Sequence, residues 1–255
     1  MIDKITIYDT EHSKIRLGNK RDGGYVVLDE PLHNCDVLYS YGVDNDVSFE
    51  TDFLNKQPNS KARLFDHTIS RVPNLNEKFS FLAEGISPYP SLNLNTLENH
   101  LIKYGDLGLN KNKVLKMDVE WSEWEVLLSL KDSLLNEFSQ IICEFHFIPI
   151  LYNGSHSPYF TGLNKSIYER VNTSIYKMYN ETIKKLCKLF FPYHMHVNNS
   201  LPLVRVGGRD VPQLLEISFV NKNIVNSPSF STAQFPISGL DFPNKTDRPD
   251  VIYNQ

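Results

Sequence analysis

At Val114-Leu115-Lys116-Met117-Asp118-Val119-Glu120 an apolar strand ends on two acids, and Trp121-Ser122-Glu123-Trp124-Glu125-Val126-Leu127 opens an amphipathic helix at once. Strand-like runs alternating with helical runs form a parallel sheet covered by helices. In an open sheet of that kind, ligands sit outside the carboxyl ends of the strands. Asp118 and Glu120 therefore stand where chemistry is expected. Tyr39-Ser40-Tyr41-Gly42-Val43-Asp44 repeats the design earlier in the chain, and two such crests point to a nucleotide-type site.

The rest of the chain extends this pattern. Asp22-Gly23-Gly24 predicts a turn and Tyr25-Val26-Val27-Leu28 a short strand inside an N-terminal cap, residues 1–34. Strands are expected at Cys35–Tyr41, Ala62–Asp66, Phe79–Ile86, Val114–Val119 and Gln140–Phe147. Helices are expected from Phe49, over Leu92–Tyr104 and over Glu123–Leu130. Right-handed crossovers bring Gly42, Asp66, Gly85, Asp118 and Glu144 to one rim.

After Pro149 the composition turns to Tyr, Asn, Gly, Ser and Pro, which reads as a lid. Ile167–Phe191 reads as a long helix stopped by Pro192. Residues 150–192 are thus an insertion in a domain spanning 35–220. Tyr193–Val197 and Gln213–Val220 read as late strands, antiparallel to the rest. Residues 221–255, rich in Pro, Ser and Asn, read as a loosely packed tail. The expected fold is α/β, a mostly parallel Rossmann-like sheet with late antiparallel strands, covered by helices.

Size and charge remove several function classes. The 255 residues are 41% hydrophobic and 22% charged with a net charge of −4, and a chain of this length buries its core without staples. With no basic run, a grip on nucleic acid is not expected. Cys35, Cys143 and Cys187 are far apart and odd in number, which fits reduced thiols rather than a disulfide or zinc framework. The start lacks the apolar core of a signal peptide. The most apolar window, Ile141–Leu151, is too short to span a bilayer. The expectation is a cytoplasmic protein without a membrane span; a homo-oligomer is left open.

Asp66 follows Gly42 by 24 positions, close to the spacing at which an acid accepts the ribose hydroxyls of an adenosine. The loop Tyr41-Gly42-Val43-Asp44-Asn45-Asp46 has one glycine and two acids rather than G-x-G-x-x-G. Acids repel a pyrophosphate, which argues against NAD or FAD, and attract an ammonium or sulfonium group. S-adenosylmethionine carries both.

Arg16-x-Gly18 with Asp22-Gly23-Gly24-Tyr25-Val26, Tyr41-Gly42-Val43 with Asp46-x-Ser48-Phe49-Glu50, Leu115–Glu120 with Glu123-x-Glu125-Val126-Leu127, and His196-Val197-Asn198-Asn199 together resemble the FkbM-like, methyltransferase-like branch of class I S-adenosylmethionine-dependent methyltransferases, over roughly residues 14–220. The resemblance implies the class I methyltransferase sheet and methyl transfer to a small polar acceptor, often a sugar hydroxyl. It implies cofactor contacts at Tyr41, Gly42, Val43, Asp46, Ser48, Asp66, His67, Gly85, Ile86 and Asp118. Acceptor contacts are expected at Arg21, Asp22, Tyr25, Glu120, Trp121, Asn198 and Asn199. Two positions depart from the family: Trp121 follows the Asp-x-Glu where glycine is usual, and Asp44 replaces the second glycine of the first loop.

An oxygen acceptor needs a base. Asp118, His146 and His196 are the catalytic candidates, with Glu144 and His146 on one side of the fifth strand. A second reading places a divalent ion, Mg²⁺ or Mn²⁺, on Asp118, Glu144 and His146. A third keeps the histidines as hydrogen-bonded structural residues. The acceptor is expected to be a sugar or a glycan or capsule precursor, selected by residues 150–190. N-methyl or phosphoryl O-methyl transfer, a nucleotide-dependent oxidoreductase and a non-enzymatic binding protein are the competing functions.

Overall fold

Seven strands, β1 (Cys35–Tyr41), β2 (Lys61–Phe65), β3 (Phe79–Leu82), β4 (Asn112–Met117), β5 (Phe138–His146), β6 (Phe190–Val197) and β7 (Leu214–Asn221), form one sheet in the order β6-β7-β5-β4-β1-β2-β3. The structure is a computed structural model that describes residues 5–73, 76–108, 112–147, 165–206 and 209–252. Strands β1 to β5 pair in parallel, while β7 is antiparallel to both β5 and β6. This is a Rossmann-like α/β arrangement. Of the two late strands expected to be antiparallel, only β7 is; β6 lies one strand further out and so runs with the parallel set.

Alternation along the strands splits the core in two. Tyr39, Tyr41, Leu115, Met117, Cys143 and Phe145 join Leu97, Trp124, Leu127 and Leu186 in one cluster. Those partners lie on α2 (Leu97–Tyr104), α3 (Ser122–Ser129) and α4 (Lys165–Leu189). Leu38, Leu64, Val114 and Ile142 face the other way, onto Phe49 and Phe53 of α1 (Ser48–Lys56) and onto Tyr25 and Val27. All nine residues of β5 and all eight of β7 are buried, as expected of strands covered on both faces.

Local chemistry sets the helix ends. Thr96 accepts a hydrogen bond from the Asn99 amide at the start of α2, and Gly105 closes it at φ 66°, so α2 begins five residues after the expected Leu92. The Leu92 region instead pairs Leu94–Asn95 with Gly85–Ile86, which cuts the expected third strand at Leu82. Helix α4 ends at Leu189, and Pro192 does not stop it. Pro192 lies inside β6 at a register shift, a place an edge strand tolerates because no inward N–H is needed there. The expected lid at 150–166 falls almost wholly on residues outside the described ones.

The N-terminal cap is docked on the sheet. Lys14–Leu17 and Tyr25–Leu28 form a hairpin. The Leu28 amide donates to Gln140 Oε1 (2.9 Å), Gln140 Nε2 donates to the Leu28 carbonyl (3.1 Å), and Ser218 Oγ donates to the Val26 carbonyl (2.6 Å). Residues 221–252 are likewise no loose tail. Ser229–Phe230 pairs with Tyr8–Asp9, and Phe235, Asp241 and Asn244 are buried. The segment meets edge strand β6: among the described residues the buried His194 pairs with Asp241, and His196 with Asp250 and with Glu216 of β7. Cys35, Cys143 and Cys187 are unpaired. Among the described residues no helix is long and apolar enough to cross a membrane.

Candidate active site

The chain leaves β1 for β2 and β3 on one side and returns to β4 on the other, so the strand order reverses between β1 and β4. Ligands of open α/β sheets bind in the crevice such a reversal leaves. Here Gly42 follows β1 and Asp118 follows β4. The Asp118 amide donates to the Tyr41 carbonyl (3.1 Å) and the Gly42 amide to the Phe65 carbonyl (3.0 Å). Gly42 has φ 74°, and a Cβ there would lie 1.6 Å from the Asp118 carbonyl oxygen, so only glycine lets these two crests meet.

A cavity of about 790 Å³ opens at this point, within the usual range for a small-molecule site. Along the sheet edge its walls read Asp118 and Glu120 after β4, Gly42 and Val43 after β1, Asp66, His67 and Thr68 after β2, and Gly85 and Ile86 beyond β3. Three strand spacings make this about 14 Å, long enough for an extended ligand. Seven carboxylates line it, from Asp22, Asp44, Asp46, Glu50, Asp66, Asp118 and Glu120, against one lysine, Lys116.

Several of these groups are held from behind. Asp66 Oδ1 accepts from the Thr68 amide (2.8 Å) and hydroxyl (2.6 Å), and Oδ2 from the Asp44 amide (2.9 Å). Burial raises its pKa, but these hydrogen bonds outweigh burial and hold it below the usual value. Asp46 Oδ1 accepts from the Ser48 amide (2.8 Å) and sets the start of α1. Lys116 donates to the Gly42 carbonyl (2.6 Å). Glu50, 1% exposed, accepts from Ser40 Oγ, while its Oε2 has no partner among the described atoms. Burial pushes the Glu50 carboxyl up, and the charge of Lys116 opposes this.

At the β4 end, Tyr25 OH donates to Asp118 Oδ2 (3.0 Å). Burial, then the charges of Asp118 and Glu144, raise the phenol far above its ordinary pKa, so Tyr25 stays a donor. His146 Nε2 lies 3.4 Å from Glu120 Oε2 and 3.8 Å from both Asp118 Oδ1 and Glu144 Oε1. Helix α3 fixes this histidine. Its backbone amide donates to Glu123 Oε1 (2.6 Å), Nδ1 lies 3.3 Å from the same oxygen, and Trp124 Nε1 donates to its carbonyl (2.7 Å). Burial lowers the imidazole pKa, but the Glu123 hydrogen bond and the charges of Glu123, Asp118 and Glu120 outweigh it and raise the value. Burial pushes Glu144 and Glu123 up. Glu120 and Trp121 have φ of 51° and 79°, left-handed values that a bulky residue adopts only at a cost of about 1–2 kcal/mol.

The cavity lining thus gathers Tyr41, Gly42, Val43, Asp46, Asp66, His67, Gly85, Ile86, Asp118, Glu120 and Asp22 from the expected set. Ser48, with a buried hydroxyl, and Trp121 are not among the lining residues. Arg21 is exposed, and its carbonyl accepts from Arg16. Tyr25 and His146 reach Asp118 without lining the cavity. Asp118 Oδ1 and Glu144 Oε1 each lie 3.8 Å from His146 Nε2, but Glu120 is nearer to the ring than Glu144, which accepts from Asn198 Nδ2 (3.2 Å).

Two expectations need correction. His196, 1% exposed, has Nδ1 3.2 Å from Glu216 and Nε2 3.1 Å from Asp250. Burial lowers its pKa, but the Glu216 charge and the Asp250 and Glu216 hydrogen bonds raise it to about 10, so it is held as a cation and is no free base. Asn199 spends its side chain on the C-terminal segment, donating to the carbonyls of Lys245 (3.0 Å) and Pro249 (3.2 Å) and accepting from the Lys245 amide (2.8 Å). Asn198 bridges Glu144 and Asp22 (3.3 Å) beneath the cavity. Lys116, Glu50, Glu123 and Thr68 were not anticipated. Lys116 was findable, since it precedes Asp118 by two and shares its side of the chain.

Neither protein-family models nor characterised protein sequences give a match to the chain.

Proposed function

We propose that this chain is an S-adenosylmethionine-dependent methyltransferase of the FkbM-like branch, acting on an oxygen of a small polar acceptor such as a sugar or glycan precursor. One observation carries the reading: an acid-lined cavity at the reversal point of the sheet, with seven carboxylates and one lysine in its walls. A pyrophosphate would meet those carboxylates at a cost, whereas a ligand with ammonium and sulfonium groups would gain from them. The sheet supports the reading too, being mostly parallel with a late antiparallel strand, as the resemblance implies.

The residues present fit the cofactor. Gly42 lets the β1 and β4 crests meet and lines the cavity where the amino-acid part would lie, Asp66 is a fixed carboxylate for the ribose, and Gly85 and Ile86 offer a tight, apolar wall for the adenine. When bound, the cofactor supplies an electrophilic methyl group. The protein's task is alignment and weakening of the acceptor's O–H bond. Asp118, Glu120 and His146 form the corner where that proton is handled, with Tyr25 and Glu123 holding the first and last in place.

The test is incubation with methyl-labelled cofactor and a panel of monosaccharides and sugar nucleotides. Label in an O-methyl group for the wild type and not for Asp118→Asn supports the reading. Label on nitrogen or phosphate overturns the oxygen acceptor, and failure of the chain to retain any cofactor overturns the class.

A further inference from the structure

Four carboxylates converge on one imidazole at the β4 end of the cavity. His146 Nε2 faces Glu120 at 3.4 Å and Asp118 and Glu144 at 3.8 Å, while Nδ1 faces Glu123 at 3.3 Å. Among the described residues none of the four makes an ion pair with a lysine or arginine. The ring and Glu144 are each 5% side-chain exposed and Glu123 is fully buried, while Asp118 and Glu120 reach out to the cavity and solvent at 27% and 84%.

We propose that this corner is a divalent-cation site, with His146 Nε2, Asp118 Oδ1 and one Glu120 oxygen as its protein ligands, taking Mg²⁺ or Mn²⁺. One ligand atom from each of these three residues lies within 4.8 Å of the other two. Oxygen and nitrogen ligands at about 2.1 Å from such an ion stand about 3 Å apart when adjacent, so small side-chain movements close the site. The outer groups are those a metal site needs. Glu123 on Nδ1 fixes the tautomer that bares Nε2, and Tyr25 takes Asp118 Oδ2 and leaves Oδ1 free. A separate observation points to the same ion. Glu144, 4% exposed, places Oε1 3.8 Å from Nε2 and has a second oxygen with no hydrogen-bond partner. A buried carboxylate left in that state is costly, and an ion or its bound water beside it supplies the missing partner.

Two carboxylates with one imidazole and no thiolate suit Mg²⁺ or Mn²⁺ by ligand type and by the abundance of these ions, rather than by raw affinity, in which zinc exceeds Mn²⁺. Asp118 and Glu120 also line the cavity, so the ion's open positions face it. Resting on the methyl-transfer reading, those positions would hold two neighbouring oxygens of the acceptor, as in a vicinal diol, and lower the pKa of the hydroxyl to be methylated.

The experiment is titration of the full chain with MnCl₂, followed by electron paramagnetic resonance, with Mg²⁺ as competitor and S-adenosylhomocysteine titrated in parallel. Wild type should bind one Mn²⁺. Glu120→Gln, at a position 84% side-chain exposed and so tolerant of change, should weaken it at least tenfold, and Glu123→Gln by 10–100-fold through the ring it orients. Equal Mn²⁺ affinity in wild type and Glu120→Gln, or no binding at millimolar Mn²⁺, overturns the site. Homocysteine-compound binding without Mn²⁺ binding removes the site and leaves the methyltransferase reading standing. The reverse keeps the site and removes that reading.

Discussion

Raising the pH loosens the C-terminal segment through His196. The ring ties β6 to Glu216 of β7 (3.2 Å) and to Asp250 (3.1 Å), and its pKa rises from 6.5 to about 10 on folding. Because the folded value is the higher one, the stabilisation is complete below about pH 6.5. It declines as pH rises and is gone above about pH 10. The full difference corresponds to at most about 5 kcal/mol, and the loss between about pH 7 and pH 9 to about 3 kcal/mol. His196→Gln removes the titration and leaves two carboxylates facing a neutral side chain, so it costs about 3–5 kcal/mol near neutrality. Urea unfolding followed by the fluorescence of buried Trp124, for both proteins at several pH values, measures the two slopes. Stability of the wild type should fall across this window while that of the variant stays flatter, the gap closing as pH rises. Parallel slopes would refute the assignment of the cation to His196.

Gly42→Ala places a methyl group 1.6 Å from the Asp118 carbonyl at a φ of 74°; the left-handed strain and overpacking together cost about 2–5 kcal/mol. An unchanged urea midpoint would show that the two crests do not meet as described. Trp121→Gly relieves a φ of 79° worth about 1–2 kcal/mol, so the unfolding midpoint should hold or rise. A midpoint loss above about 1 kcal/mol would mean the indole packs the fold instead. Tyr25→Phe removes one part-buried hydrogen bond to Asp118 (3.0 Å) and should cost about 1 kcal/mol, read by the same unfolding assay; a loss beyond about 3 kcal/mol would show that the hydroxyl holds more than this contact.

The cavity was legible wherever it is built from strand ends. Gly42, Asp66, Gly85 and Asp118 each close a hydrophobic run, and a parallel sheet gathers such residues on one rim. Glu144 and His146 were readable as a pair because strand side chains alternate. What sequence concealed was contact between distant segments. His196 and Asn199 resemble site residues until Asp250, Lys245 and Pro249, some fifty positions on, are found holding them. The direction of β6 follows from its place beyond β7, which local propensity does not encode. Pro192 reads as a helix stop on propensity alone, and its edge-strand position removes that constraint.

Isothermal titration of the purified chain with S-adenosylhomocysteine, with NAD as control, tests the central claim most directly. The acid-lined cavity predicts micromolar binding of the homocysteine compound, weakened at least tenfold by Asp66→Ala, and no binding of NAD. Binding of NAD in its place, or of neither compound, would contradict it.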